Sequence, residues 1–238
     1  MIDTDALDHI TKPTLTRPLL GLTILAVEDS LYACDALRLM CLHSGARLRR
    51  ADCLKSARRH LQVYRPTVVI VDMGLPDGSG ADLISELTAT MPRVSVVLAT
   101  SGDSFAEDVA YAAGADSFLA KPIANLGVFQ NAILQHLPED RQPFGVRSVR
   151  DDIIAPDPIA FREDMAHMAG ILKGPVDNRT ADYVALFLRG VARTAEDEVL
   201  ENAAFELANA RAEGVPLRGQ ITRLAGLVDA RLQDAVAV

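Results

Sequence analysis

The sequence predicts an α/β fold: a doubly wound, five-stranded parallel sheet followed by a separate all-α domain. Three observations carry this. Five short apolar runs alternate with five segments of helical periodicity inside residues 21–138. The loops between them are short, so successive strands must be joined by crossover helices and lie parallel. After Pro138 no strand pattern recurs, and the remaining periodic segments are all helical.

The organisation expected is an N-terminal extension (1–20, with Pro13 and Pro18), a doubly wound domain (21–138), a polar, proline-punctuated linker (139–156) and a helical domain (157–238). A chain of 238 residues with 49% apolar side chains can build real cores. No apolar run approaches the ~20 residues of a membrane span. The opening "MIDTDALDHITKP" is acidic and has no secretory pattern, so a soluble, cytoplasmic protein is expected. Cys34, Cys41 and Cys53 form no C-x-x-C motif and are read as reduced packing residues. The formal charge is −8, split −3 and −5 between residues 1–138 and 139–238. Neither half has the basic excess of a nucleic-acid-binding domain.

In order, "LTILAV" is a buried strand that ends on Glu28-Asp29, and Ser30 caps a helix running to Ser44 and stopped by Gly45. "ARLRRA" is a weaker strand, and "DCLKSARRHLQVY" a helix with Leu54, Ala57, Leu61 and Tyr64 along one side. "TVVIVD" is a strand leading into "MGLPDGSG"; "ADLISELTATM" is a helix closed by Pro92. "VSVVLATSGD" is a strand with a polar exit, "SFAEDVAYAAGA" a helix ended by Gly114, "DSFLAKP" a short strand, and "IANLGVFQNAILQHL" the fifth helix. Beyond the linker, Asp157 caps a helix with Pro158 at its first position. "NRTADYVALFLRGVAR" carries a stripe of Tyr183, Leu186, Phe187 and Val191. Thr194 is the expected cap of the next helix, which Gly214 ends. "PLRGQITRLAGLVDARLQDAV" is the fourth helix.

In an open parallel sheet, ligands gather at the carboxyl ends of the strands. This reading puts Glu28, Asp29, Asp72, Thr100 or Ser101, and Lys121 there. A carboxylate that ends an apolar strand is costly unless something answers it. Carboxylates this close retain protons unless a cation compensates. The oxygen-rich set suits a hard divalent ion such as Mg²⁺. Such a metal beside a free carboxylate oxygen can hold an incoming phosphoryl group, with Asp72 as nucleophile and Lys121 and a hydroxyl on the phosphoryl oxygens.

The motifs "VEDS", "VDMGLPDGSG", "LATSGD" and "SFLAKP", each at the end of its strand, make residues 21–138 resemble the receiver domain of two-component response regulators, which has a flavodoxin-like fold. The resemblance covers about half of the chain. It implies that Glu28, Asp29, Asp72 and the backbone carbonyl of Gly74 hold Mg²⁺. It implies that Asp72 takes phosphate from a phosphohistidine on a sensor histidine kinase or a histidine phosphotransfer protein. Thr100 and Phe118 would form a switch pair that reshapes the face of the fourth helix, fifth strand and fifth helix, with Lys121 pairing to phosphate. Thr100 is preferred over Ser101 as the hydroxyl because a strand-end threonine is stiff at χ1. His167, in "AHMAGILKG", has the wrong spacing for a phosphotransfer helix and is read as an ordinary helix-face residue.

For the helical domain, a protein-interaction or homodimerisation module is preferred to DNA binding. The nearest recognition-helix candidate, with Arg218, Arg223 and Arg231, lacks a turn partner and has acidic neighbours. No metal-ligand histidine cluster, G-x-S-x-G or P-loop marks an enzymatic output.

Overall fold

The structure is a computed structural model that describes residues 12–103, 105–123, 125–145 and 154–234. Parts of the expected N-terminal extension and linker lie outside the described residues. Five strands, β1 (Thr23–Val27), β2 (Arg47–Ala51), β3 (Val68–Asp72), β4 (Val96–Ser101) and β5 (Ser117–Ala120), form one parallel sheet in the order β2-β1-β3-β4-β5. The order reverses between β1 and β3, and the carboxyl ends there frame a crevice.

Five helices cross between or follow these strands: α1 (Leu31–Ser44), α2 (Leu54–Val63), α3 (Gly80–Ala89), α4 (Ala106–Ala112) and α5 (Leu126–Leu134). Strand alternation sorts the core into two layers. Ile24, Ile70 and Leu98 face α1 and α5, whereas Leu25, Val71 and Ala99 face α2, α3 and α4. Ser30 caps α1, accepting from Ala33 N, and Gly45 ends it with φ 83°. Asp77, from the loop after β3, accepts from the amides of Leu54 and Lys55 and so closes the start of α2. Cys53 is not packing filler: it is the N-cap of α2, and its sulfur accepts from Ser56 N.

The helical domain contains α6 (Pro158–Leu172), α7 (Asn178–Thr194), α8 (Glu198–Ala212) and α9 (Arg218–Asp234). It has its own core, with Met165, Met168, Leu188, Leu200, Leu207, Leu224 and Val228 fully buried. Thr194 does not cap α8. It is the last residue of α7, where its hydroxyl donates to the Gly190 carbonyl, and Asp197 caps α8 by accepting from Leu200 N. The local rule favoured the first hydroxyl before the acidic run. Instead, two further residues are used in the turn, where Glu196 adopts φ 55°.

This domain rests on the α/β domain. Tyr32 of α1 packs against the helical core, its ring edge-on to Phe161 at 5.5 Å. The Asp164 carboxylate accepts from the Ser30 hydroxyl (2.7 Å) and from the amides of Leu31 (2.8 Å) and Tyr32 (3.1 Å). An acid from α6 thus occupies the positive end of α1, where the first-turn amides lack partners of their own.

Candidate functional site

The sheet brings Glu28, Asp72 and Lys121 to one point. Glu28 directly follows β1; its amide donates to the Ala51 carbonyl (2.9 Å), prolonging the ladder and leaving the residue 1% exposed. Asp72 ends β3, and Lys121 follows β5, its amide held by the Ser101 carbonyl (2.9 Å). Both are buried. The Lys121 ammonium donates to Asp72 Oδ2 at 2.8 Å and lies 2.7 Å from Glu28 Oε2. Arg50 fixes the backbone beneath, donating to the carbonyls of Glu28 (3.1 Å) and Asp29 (2.6 Å).

Glu28, Asp29 and Asp72 each offer an oxygen, and these oxygens lie within 4.8 Å of one another. One ammonium faces three carboxylates, which leaves an excess of acid. Burial first, and the Asp72 charge second, push Glu28 well above the usual carboxylate range; the same causes raise Asp29 to about 7. For Lys121, burial favours the neutral amine, but Asp72 and Glu28 outweigh it and hold the ammonium charged. Asp29 Oδ1 is buried without a hydrogen-bond partner. An orphaned buried carboxylate oxygen in an all-oxygen cluster is the signature expected of residues that fit a hard divalent cation.

The remaining predicted residues fall around this cluster. Gly74 donates its amide to Asp72 Oδ1 at 3.3 Å. Thr100 is paired with Asp72 across the β3–β4 ladder, but its hydroxyl donates to the Leu119 carbonyl (2.8 Å). Ser101 lines the acidic pocket and accepts from the Asp103 amide (3.0 Å). Phe118 is paired with Ala99 and sits half-buried on the layer facing α2, α3 and α4. Alternation along β4 therefore puts Phe118 and the Thr100 side chain on opposite faces of the sheet. His167 is exposed and packs its ring against Phe187, and it is not among the residues that line the acidic pocket.

Several residues of this site were not foreseen. The Tyr183 hydroxyl of α7 donates to Asp29 Oδ2 at 2.7 Å. Burial and the neighbouring Asp29 charge keep that phenol protonated far above its ordinary range. Leu186 lies over Gly74: a β-carbon there would be 3.2 Å from the leucine β-carbon. Gly190 meets the backbone of Gly102, and Arg189 pairs with Asp103 at 3.2 Å. Tyr183 and Leu186 read in sequence as members of an apolar stripe. No local motif marks a residue whose partner is 154 positions away.

The model of the response regulator receiver domain family matches residues 24–133. The transcriptional regulatory protein KdpE of Mycobacterium tuberculosis is 33% identical over 99 residues, 42% of this chain and 44% of KdpE. The transcriptional regulatory protein PhoP of Escherichia coli K12 is 30% identical over 100 residues, 42% of this chain and 45% of PhoP. The matches thus span less than half the length of these curated relatives. Among solved structures, a response regulator from Chloroflexus aurantiacus is 28% identical, covering 42% of this chain and 85% of that one, with a TM-score of 0.40. The receiver domain of the Pseudomonas aeruginosa sensor histidine kinase PA1611, solved with magnesium in its active-site cleft, is 23% identical, covering 48% and 95%, with a TM-score of 0.44. With its sheet order, acidic cluster and family match in agreement, the segment 24–133 of this chain is a response regulator receiver domain.

Proposed function

We propose that the chain is a phosphorelay response regulator in which Asp72 accepts a phosphoryl group from a phosphohistidine of a sensor histidine kinase or a histidine phosphotransfer protein. The observation that supports it best is the buried Glu28–Lys121–Asp72 ion-pair group with Asp29 beside it, all at the carboxyl edge of the sheet. Glu28, Asp29, Asp72 and the Gly74 carbonyl would hold Mg²⁺, which when bound neutralises charge on the phosphoryl oxygens.

The chain's own residues then do the following. An Asp72 carboxylate oxygen attacks phosphorus; the O–P bond forms as the P–N bond of the phosphohistidine breaks. The imidazole leaves with the electron pair and takes a proton from solvent. Lys121, already 2.8 Å from Asp72, fixes the carboxylate and meets a phosphoryl oxygen. The Thr100 hydroxyl meets another after leaving the Leu119 carbonyl; Ser101, which already lines the pocket, is the alternative donor. Of the two, only Ser101 shares Phe118's face of the sheet, so a move of Ser101 toward phosphate is the local event that Phe118, on the neighbouring strand, would sense.

The output is assigned to protein contacts or homodimerisation, through the helical domain or through the face of α4, β5 and α5, where Phe105, Val109, Tyr111 and Val128 are exposed. DNA reading by α9 has less support, because Arg223 is engaged by Glu206 and Arg231 by Asp197, both within the helical bundle. In the test, acetyl phosphate with Mg²⁺ adds one phosphoryl group to the intact mass, and Asp72→Asn abolishes the gain. A label that persists in Asp72→Asn refutes the assignment.

A further inference from the structure

We infer that α7 is a lid on the phosphoacceptor pocket, and that charging of Asp72 and docking of the helical domain exclude one another. This rests on the reading of Asp72 as phosphoacceptor. Four observations from separate residues carry it. The Tyr183 hydroxyl holds Asp29 through Oδ2, so a carboxylate of the cation-binding cluster is already engaged by α7. Leu186 covers the Gly74 backbone, and Gly190 closes on Gly102 so tightly that a β-carbon on Gly102 would lie 3.0 Å from the Gly190 α-carbon. The space left between Asp72, Lys121, Ser101 and α7 has a volume of about 10 Å³. That is room for about one water, and a phosphoryl group does not fit. Finally, Arg189 fastens the lid onto Asp103, and Asp164 of α6 fastens the same helical domain onto the start of α1.

A group that enters the pocket must therefore displace α7, and a docked α7 must weaken what enters. By linkage the two effects are equal in free energy. Undocking uncovers Tyr183 and Phe187 on α7, more of the already exposed Leu186, and Asp164 of α6. The phosphorylated form is then the open form, with its output surface uncovered.

The experiment uses the full chain with Mg²⁺ and beryllofluoride, a phosphoryl mimic. Binding is read by fluorine-19 resonance, and opening by small-angle scattering and amide exchange at Leu31 and Tyr32, whose N–H groups bond Asp164 in the closed form. Two variants loosen the lid: Tyr183→Phe removes the hydroxyl, and Gly102→Val places bulk against the Gly190 backbone, where a β-carbon would lie 3.0 Å from the Gly190 α-carbon. The expected results are a larger radius of gyration and faster exchange at Leu31 and Tyr32 when the mimic binds. Mg²⁺ affinity in Tyr183→Phe should be about tenfold higher, the size of one lost hydrogen bond to a charged group. Binding seen only in the loosened variants also supports the lid. Binding by the native chain with unchanged scattering and exchange overturns the lid and leaves Asp72 as acceptor. No bound mimic in the native chain or either variant overturns the acceptor reading, and the lid with it.

Discussion

Lys121 shows how one residue can be both structural and chemical. Buried between Glu28 and Asp72, it is the charge that lets two carboxylates stay in a dry crevice. Removing one partner of a buried ion group leaves the others uncompensated and typically costs about 3–5 kcal/mol. Lys121→Met should lower the urea-unfolding free energy by about that amount and also abolish phosphorylation; unchanged stability would show that the carboxylates do not depend on it. Gly80 makes a purely steric contribution. A β-carbon there would lie 2.1 Å from the Asp72 carbonyl oxygen and 3.0 Å from the Met73 α-carbon. Gly80→Ala should therefore shift the end of β3, with a cost of about 1–3 kcal/mol or more and slower phosphorylation of Asp72. Native stability and rate in that variant would mean that the loop yields freely.

At the scale of elements, the helical domain is held together by charged ties as well as by its core. Asp197, the cap of α8, receives two hydrogen bonds from Arg231 of α9 (2.6 and 3.1 Å). The Arg231 hydrogen bond is the main reason that the Asp197 carboxyl lies below its ordinary value. A carboxylate depressed in the folded state adds stability above its unfolded pKa of ~3.9, and that stability is lost as pH falls through the lower folded value. Acid titration below about pH 4 should therefore loosen α9 from α8, visible as chemical-shift changes that begin in α9, and Arg231→Ala should remove that step. An α9 that stays docked equally well in both proteins through this range would contradict the tie. The tie between α6 and α1 is a single buried carboxylate that takes three donors. Asp164→Ala should cost about 1.5–3 kcal/mol, the range for hydrogen bonds to a charged group, and raise amide exchange at Leu31 and Tyr32. Exchange that stays slow at both amides would contradict this assignment.

Much of the α/β half could be read before any coordinates. Strands that end on Glu28, Asp72 and Lys121 announce themselves by apolar runs that stop at a charge, and Ser30, Gly45 and Asp157 mark helix ends through local chemistry. What could not be read depends on distance. The cap of α8 moved from Thr194 to Asp197 because a left-handed Glu196 turn intervenes. Thr100 shares a ladder with Asp72, yet its hydroxyl is claimed by Leu119, a cross-strand contact that spacing alone does not reveal. The docking of the two halves is built from Tyr183 with Asp29 and Asp164 with Ser30, pairs separated by 154 and 134 residues. Each member looks ordinary in its own helix, and only the tertiary fold gives it a partner.

Taken whole, the molecule is an acidic notch at the edge of a parallel sheet, closed by the helical domain that follows it in the chain. Its working depends on Glu28, Asp29 and Asp72 forming one divalent-cation site. The most direct measurement adds Mn²⁺, as a paramagnetic stand-in for Mg²⁺, to the full chain and to Tyr183→Phe, and maps the broadened amide resonances. The account predicts broadening centred on Asp29, Asp72 and Met73, stronger at a given Mn²⁺ concentration in Tyr183→Phe. Broadening centred instead on the acidic surface of Glu196, Glu198 and Glu201, with the Asp29, Asp72 and Met73 amides sharp in both proteins, would contradict it.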